Sequence, residues 1–298
     1  MNIRITIAVA ASFMLLSACE DLPTGTYIPQ TIVEGVLYVD EPIRRIKVQI
    51  SQPTTDTFRL KDGFVRDANV RIFSQGQTYE LKYRDLDSTG EYYYPDTTVM
   101  VQPGQNYRLE VVTGGKTFVS ETTTPGRIEW VREPRGVVQF PPIKDLVVPN
   151  DTLQISWTKA SDLDEYYISV RCLDTLHYGK YLNPPREEKN MRVDVGVPVR
   201  DRFEKETSRY AYVGAIHTVA PVWIAFKWYG MQEISVYAPD VNWLNWMKLT
   251  RLFGGGTYNE NLGSMYEVMP DGTQVKAFGV FGSVSAARKK ILLLKPER

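Results

Sequence analysis

From residue 32 to residue 124, apolar and polar positions alternate with a period of two, and turn residues interrupt the alternation at short intervals. Successive side chains of a strand point to opposite faces, so this is the pattern of strands with one face in a core and one in water. Arg45-Ile46-Lys47-Val48-Gln49-Ile50 shows it cleanly. Val70-Arg71-Ile72-Phe73 and Tyr79-Glu80-Leu81-Lys82-Tyr83 flank Ser74-Gln75-Gly76-Gln77, a loop of hairpin type. Pro103-Gly104-Gln105-Asn106 turns the chain into Tyr107-Arg108-Leu109-Glu110-Val111, and Gly114-Gly115 turns it back into Thr117-Phe118-Val119-Ser120. A tyrosine that starts a strand just after a turn is the arrangement of the tyrosine corner in Greek-key sandwiches. Short strands with turn signals every ~8–12 residues predict an immunoglobulin-like or transthyretin-like sandwich over 31–124.

Thr122-Thr123-Thr124-Pro125-Gly126 breaks the periodicity and is the predicted boundary. Beyond it, Thr152-Leu153-Gln154-Ile155-Ser156-Trp157 and Tyr166-Tyr167-Ile168-Ser169-Val170 read as the first strands of a fibronectin-III-like sandwich with an inward Trp. Residues 180–209 are polar, with Pro184-Pro185, and read as a long loop. A helix is predicted near 240–253, with Asp240 as its cap and Gly254 ending it in the left-handed region. Val241, Leu244 and Leu252 form its core stripe, with Trp243, Trp246, Met247 and Phe253 around an adjoining face. A β element from Ala277-Phe278-Gly279-Val280-Phe281-Gly282 through Ile291-Leu292-Leu293-Leu294 closes the chain. The expected fold is mainly β: two β-sandwich domains, 31–124 and 125–298, the second carrying the one helix.

The first residues do not belong to that body. One positive charge, Arg4, precedes an apolar run over residues 5–16 that is too short for a ~20-residue membrane span. Leu16-Ser17-Ala18-Cys19 then matches a lipobox, in which small residues admit a signal peptidase and the cysteine thiol accepts diacylglycerol. Residues 1–18 are thus expected to be a signal peptide, Cys19 the lipidated residue, and 19–30 a tether to the membrane. Lys+Arg and Asp+Glu are 35 each, and removing Arg4 with the signal leaves 34 against 35. No clustered cationic excess speaks for nucleic acid. The cysteines are two, Cys19 and Cys172. With Cys19 lipidated, no intrachain disulfide or cysteine-based metal site is expected, and Cys172 reads as a small buried hydrophobe.

Four features together resemble a known family. They are the lipobox followed by Glu20-Asp21; the opening strand Ile32-Val33-Glu34-Gly35-Val36-Leu37; the turn-strand from Pro103 to Val111; and the ending Phe278-Gly279-Val280-Phe281-Gly282-Ser283-Val284-Ser285. The chain is similar to an uncharacterised group of Bacteroidota outer-membrane lipoproteins, classed only as a domain of unknown function, whose members often accompany TonB-dependent receptors. The resemblance implies an outer-membrane location and a TonB-dependent transporter as partner, and no catalytic residue. Glu20-Asp21 resembles the acidic surface-export signal of such lipoproteins, so an outward-facing protein is expected, with a periplasm-facing one as the alternative.

Candidate chemistry is sparse. His177 and His217 are the only histidines, and neither has a ligand-spaced neighbour. Gly282-Ser283-Val284-Ser285-Ala286 lacks the second glycine of a nucleophile elbow, and Gly254-Gly255-Gly256-Thr257 lacks the lysine of a phosphate loop. Asp85-Leu86-Asp87-Ser88-Thr89-Gly90 with Asp96 partly follows a calcium loop, against the plainer reading of a hairpin. Asp162 and Asp164, two residues apart, read as turn residues rather than a glycosidase pair. The remaining signal is aromatic: Trp223, Trp228, Trp243 and Trp246, four of six tryptophans, fall within 24 residues. Buried, they are core between helix and sheet; exposed, they stack on sugars or on a protein partner. The expectation is a non-catalytic accessory lipoprotein without cofactors that serves nutrient capture or uptake, with a surface adhesin or glycan-binding module as the alternative and a lipid-anchored hydrolase behind both.

Overall fold

Strand β1 (Thr31–Tyr38) alternates as the sequence predicts, with Val33, Gly35 and Leu37 facing inward and Glu34, Val36 and Tyr38 facing the other way. The computed structural model describes residues 27–53, 56–87, 89–142, 153–160, 165–193, 208–212, 217–221, 223–248 and 263–296. The expected signal peptide over 1–18, Cys19, Asp162, Asp164 and the predicted helix end at Gly254 lie outside the described residues.

The predicted strands form where the alternation places them. β2 (Ile46–Ile50) pairs antiparallel with β1. β3 (Asn69–Ser74) and β4 (Gln77–Asp85) join through Gln75 and Gly76, at φ 51° and 74°. Positive φ at both central residues is what a two-residue turn of the right twist requires. β5 (Gly90–Tyr93) pairs with β4, Asp85 opposite Gly90, so the calcium-loop candidate is a hairpin connection. β6 (Asn106–Thr113) and β7 (Lys116–Thr123) are joined by Gly114 and Gly115, at φ 56° and 74°. Tyr107 is buried, and its hydroxyl accepts from the backbone N–H of Gln102 at 2.8 Å, the bond a tyrosine corner makes.

The later elements are β8 (Trp130–Arg132), β9 (Val137–Gln139), β10 (Ile155–Trp157), β11 (Tyr167–Cys172), β12 (Ser208–Tyr212), β13 (Thr218–Val219), β14 (Gly230–Pro239), β15 (Tyr266–Val268), β16 (Gln274–Lys276) and β17 (Phe278–Leu294). Among the described residues one α-helix is present, α1 (Val241–Met247). A large curled sheet runs in the order β12-β11-β14-β17-β1-β2-β5-β4-β3-β6-β7-β15-β16, with β9 added beside β17. A three-stranded sheet, β13-β10-β8, stands apart. The protein is therefore mainly β.

Two large apolar clusters lie among the described residues. One gathers Val33, Leu37, Ile46, Val70, Leu109 and Phe118 from β1 to β7, and takes Met265, Ala277 and Phe281 from the far end of the chain. The other joins the three-stranded sheet to the rest through Ile155, Trp157, Tyr166, Ile168, Trp223, Val236 and Ile291. β17 belongs to both. Its first half runs parallel to β1, Ile32 opposite Phe278, and its second half runs antiparallel to β14, Pro239 opposite Val284 and Gly230 opposite Leu293. At its start Gly279 has φ 125°, and a Cβ there would sit 1.9 Å from the Val33 carbonyl oxygen. Only glycine fits that approach.

Candidate functional site

The helix is set by its cap. Asp240 is 5% exposed, and its carboxylate accepts from the Trp243 N–H at 2.8 Å, the Thr122 hydroxyl at 2.6 Å and the Ser283 N–H at 3.1 Å. Thr122 and Ser283 also share a hydrogen bond of 2.7 Å. The cap thus doubles as a buried polar knot that ties β7, β17 and α1 together. Burial pushes the Asp240 carboxyl above its ordinary value, because the hydrogen bonds from Thr122, Trp243 and Ser283 recover only part of the lost hydration.

With Asp240 pinned there, Leu244 and Met247 bury against Tyr167. The predicted stripe is corrected on one point: Val241 is 53% exposed, and Met247 takes the second core place. From the start set by the Asp240 cap, Leu244 and Met247, three residues apart, fall on the face that meets Tyr167. Trp243 and Trp246 are half-buried and, with Met247, form one wall of a groove of about 580 Å³. Its other wall is the outward face of the sheet: Glu34, Val36, Arg45, Lys47 and Glu91. Glu34 lies opposite Lys47 across β1 and β2, and Arg84 holds Glu91 through its Nε at 2.9 Å.

That outward face continues into a cation–ring cluster. The Tyr38 and Tyr237 rings meet edge to face at 6.3 Å, with the Arg45 guanidinium 4.2 Å from the Tyr38 centre and that of Arg288 5.3 Å from it. Glu41 accepts from Arg44 at 2.9 Å and from Arg45 and Arg288 at 2.7 Å. Burial acts to raise the Glu41 carboxyl, but the bonds and charges of the three arginines outweigh it and hold it at about 2.

The four sequence-singled tryptophans do not form one site. Trp223 is buried in the second cluster beside Phe140, 5.3 Å between ring centres. Trp228 is half-buried, with the Arg192 guanidinium 5.6 Å from its ring centre. Trp243 and Trp246 share one groove. His177, expected to stand without partners, has one: its Nδ1 lies 3.1 Å from the Asp174 carboxylate. His217 packs its ring edge-on against Tyr166, 5.2 Å between centres. Cys172 is buried as expected, and burial raises its thiol. No group of three or more His, Cys, Asp or Glu placed to hold a metal occurs among the described residues.

A larger groove, of about 1330 Å³, went unmarked by the sequence pattern. Phe140, Tyr178 and Tyr229 form its floor; Tyr181, Leu182, Pro184 and Met191 form one wall; and Leu292, Leu294 and Pro296 form the other, with Arg186, Glu188, Arg192 and Lys295 at the polar positions. Asp174 positions Tyr181 and Lys180: its carboxylate accepts from the tyrosine hydroxyl at 3.0 Å, from the lysine at 3.1 Å, and from the backbone N–H groups of Leu176 and His177. Despite burial, those donors hold the Asp174 carboxyl well below the usual carboxylate range. Lys295 sits over Tyr178, 4.4 Å from the ring centre, and pairs with Glu188, which Arg186 also contacts at 2.8 Å. The signal that could have found this groove is Tyr181 and the proline pair within the stretch assigned to loop, with Tyr178 just ahead of it. Its far wall comes from residues over a hundred positions later, which no local pattern shows.

No curated protein matches the chain. Among solved structures, the crystal structure of the S-layer protein rSbsC (residues 31–844) aligns over 97% of this chain at 12% identity with a TM-score of 0.18. The chain spans 35% of that structure, and likeness at this level transfers neither fold nor function. Residues 23–248 match the family described as Domain of unknown function (DUF4249), and the chain belongs to that family.

Proposed function

We propose that this chain is a non-catalytic lipoprotein of the cell envelope, anchored in the outer membrane by lipid on Cys19 and facing outward. It works beside a TonB-dependent transporter in capturing or admitting a nutrient. The observation that carries the binding role is the groove of about 1330 Å³ floored by Phe140, Tyr178 and Tyr229. Ligand sites are concave and mostly apolar, with a few placed polar groups that set orientation, and this groove has that composition. Leu16-Ser17-Ala18-Cys19 supports the anchor, and the family resemblance supports the transporter. In this reading the Trp243–Trp246 groove is the partner surface, and the chain forms two sandwich-like halves, immunoglobulin- or transthyretin-like over 31–124 and fibronectin-III-like over 125–298, with residues of the last strands completing the first core. A glycan ligand is the second reading, favoured by Tyr181 and the aromatic floor, because ring faces stack on sugar faces.

The test is made in cells. Labelled palmitate should enter the wild-type protein and not Cys19→Ala, and a TonB-dependent transporter should co-purify with the tagged protein from detergent-solubilised outer membranes. A deletion strain should lose uptake of at least one nutrient, regain it with the wild-type gene, and regain it only in part with Tyr181→Ala at equal abundance. Purification without any transporter, or a deletion that leaves every tested uptake unchanged, would sink the accessory role.

A further inference from the structure

The end of the sheet where β1 begins carries an apolar surface that no core uses. Phe58 and Ile28 are 71% and 70% exposed, and Ile50, Tyr27 and Leu60 are 40% exposed or more. These residues come from three segments stitched into one surface. The Tyr27 hydroxyl donates to Ser51 Oγ at 2.5 Å, and the Gln30 N–H donates to the same oxygen at 2.9 Å. Thr31 pairs with Ile50 across the strands. The Gln52 side-chain amide brackets Arg59, donating to its carbonyl at 2.7 Å and accepting from its N–H at 3.0 Å. Phe58 and Leu60 flank the bracketed Arg59 and are exposed on either side of it.

The length of chain before this surface says what it meets. Seven residues lie between Cys19 and Tyr27, so eight Cα-to-Cα steps join them, and eight steps reach at most roughly 26–29 Å when fully extended. Lipid on Cys19 would hold this end of the body within that distance of the acyl chains, closer than any other end, because the tether enters here. We propose that the surface formed by Tyr27, Ile28, Ile50, Phe58 and Leu60 beds into the headgroup boundary of the bilayer that holds the Cys19 lipid, fixing the orientation of the body and the direction its grooves face. The proposal rests on the lipid-anchor reading. Its composition suits that depth: aromatic and aliphatic tips lie between the charged groups of Asp56, Arg59, Lys61 and Asp62. The cations can extend to the phosphate level while their stems stay with the apolar residues. With two acids and two bases around it, the surface is held by apolar insertion and not by lipid charge. The tether keeps it at high local concentration, so a weak insertion suffices.

Photocrosslinking distinguishes lipid from protein as the occupant. Phe58 is replaced by p-azidophenylalanine in the full-length protein, and Leu176, 67% exposed on the other half of the molecule, is replaced as the control. After illumination of intact envelopes, Phe58 should yield adducts of lipid mass several-fold more often than Leu176. Adducts of protein mass at Phe58 would assign the surface to a partner protein and overturn the proposal, as would equal yields at both positions. The same probes in the chain from residue 19 onward, coupled through the Cys19 thiol to maleimide lipid in phosphatidylcholine vesicles, separate this proposal from the anchor itself, since burial shields Cys172, the other cysteine, from coupling. There, lipid adducts at Phe58 should persist in high salt and fall several-fold with Ile28→Ser and Leu60→Ser combined. If palmitate fails to label the cellular protein while the vesicle adducts form, the anchor reading fails and the surface stands. If palmitate labels it and no lipid adduct forms in either setting, the surface fails and the anchor stands.

Discussion

Two carboxyl groups respond to pH in opposite directions, and both report on packing that a single residue controls. Asp240 has its folded value raised, so the folded state binds the proton more tightly than the unfolded chain does. Its contribution to stability therefore falls as pH rises from the ordinary 3.8 through the raised value. Asp240→Asn keeps an acceptor for Trp243 and removes that slope, so the stability of the wild type relative to Asn should decline between acid and neutral pH in urea melts. Asp240→Ala takes away the cap and the acceptor of the Thr122 hydroxyl and the Ser283 N–H, and should cost about 2–4 kcal/mol. Glu41 is the reverse case. Its value is lowered from 4.5 to about 2, so the stability it gives is present above 4.5 and is lost as pH falls through about 2. Glu41→Gln should flatten the acid limb of the stability curve, and an unchanged limb would mean that the three arginines do not depend on it. Asp240 as a cap was legible from Pro239-Asp240 ahead of an apolar run. Its second role was not, because Thr122 and Ser283 lie 118 and 43 residues away and meet it only through the sheet.

At the scale of elements, the helix and the last strand carry the sharpest expectations. Trp223 sits in the core, whereas Trp243 and Trp246 are half-buried at a groove. Trp223→Ala should then cost about 3–5 kcal/mol, as large core truncations do, and Trp246→Ala about 1 kcal/mol or less, with Trp243→Ala between them because it packs over Gly282. Thermal unfolding of the three variants ranks them; a Trp246→Ala loss equal to that of Trp223→Ala would remove this helix from any binding role. In β17, Gly279→Ala places a methyl against the Val33 carbonyl at a backbone angle that other residues rarely adopt. It should cost about 3 kcal/mol or more and open the parallel pairing with β1, visible as faster amide exchange at residues 32–38. The strand periods and both two-glycine or glycine-containing turns were readable locally. The extent of β17 follows the expected β element from Ala277 through Leu294, but its three partners, β1, β14 and β9, were not readable, since alternation names a face and never a neighbour.

For the molecule as a whole, the last strand makes the two apolar clusters depend on one element. The cluster built from β1 to β7 needs Met265, Ala277 and Phe281, and the other needs Ala287, Ile291 and Leu293. A fragment ending at residue 124 should lack a cooperative unfolding transition, although most of the first cluster's strands are in it, and adding the rest of the chain should restore the transition. A fragment that melts cooperatively by itself would show that β17 only decorates a finished core. The same arrangement couples function to folding: one wall of the larger groove is the end of β17, and the cap knot of the smaller groove uses its middle. Loss of the strand should therefore disable both grooves together.

The sequence by itself determined the class of structure: period-two alternation, turn glycines and the position of a capped helix follow from local sterics and from which side chains avoid water. It also carries Leu16-Ser17-Ala18-Cys19, the string on which the proposed lipid anchor rests, because such a pattern is linear. Only the tertiary structure decided which strands pair, which tryptophan is core, and where the grooves lie. Those outcomes depend on contacts between residues such as Phe140 and Tyr229 or Thr122 and Asp240, whose separation along the chain erases any local trace. The physical reason is that burial is a property of the assembled surface: a tryptophan looks the same in a sequence whether a sheet covers it or a groove leaves it half in water.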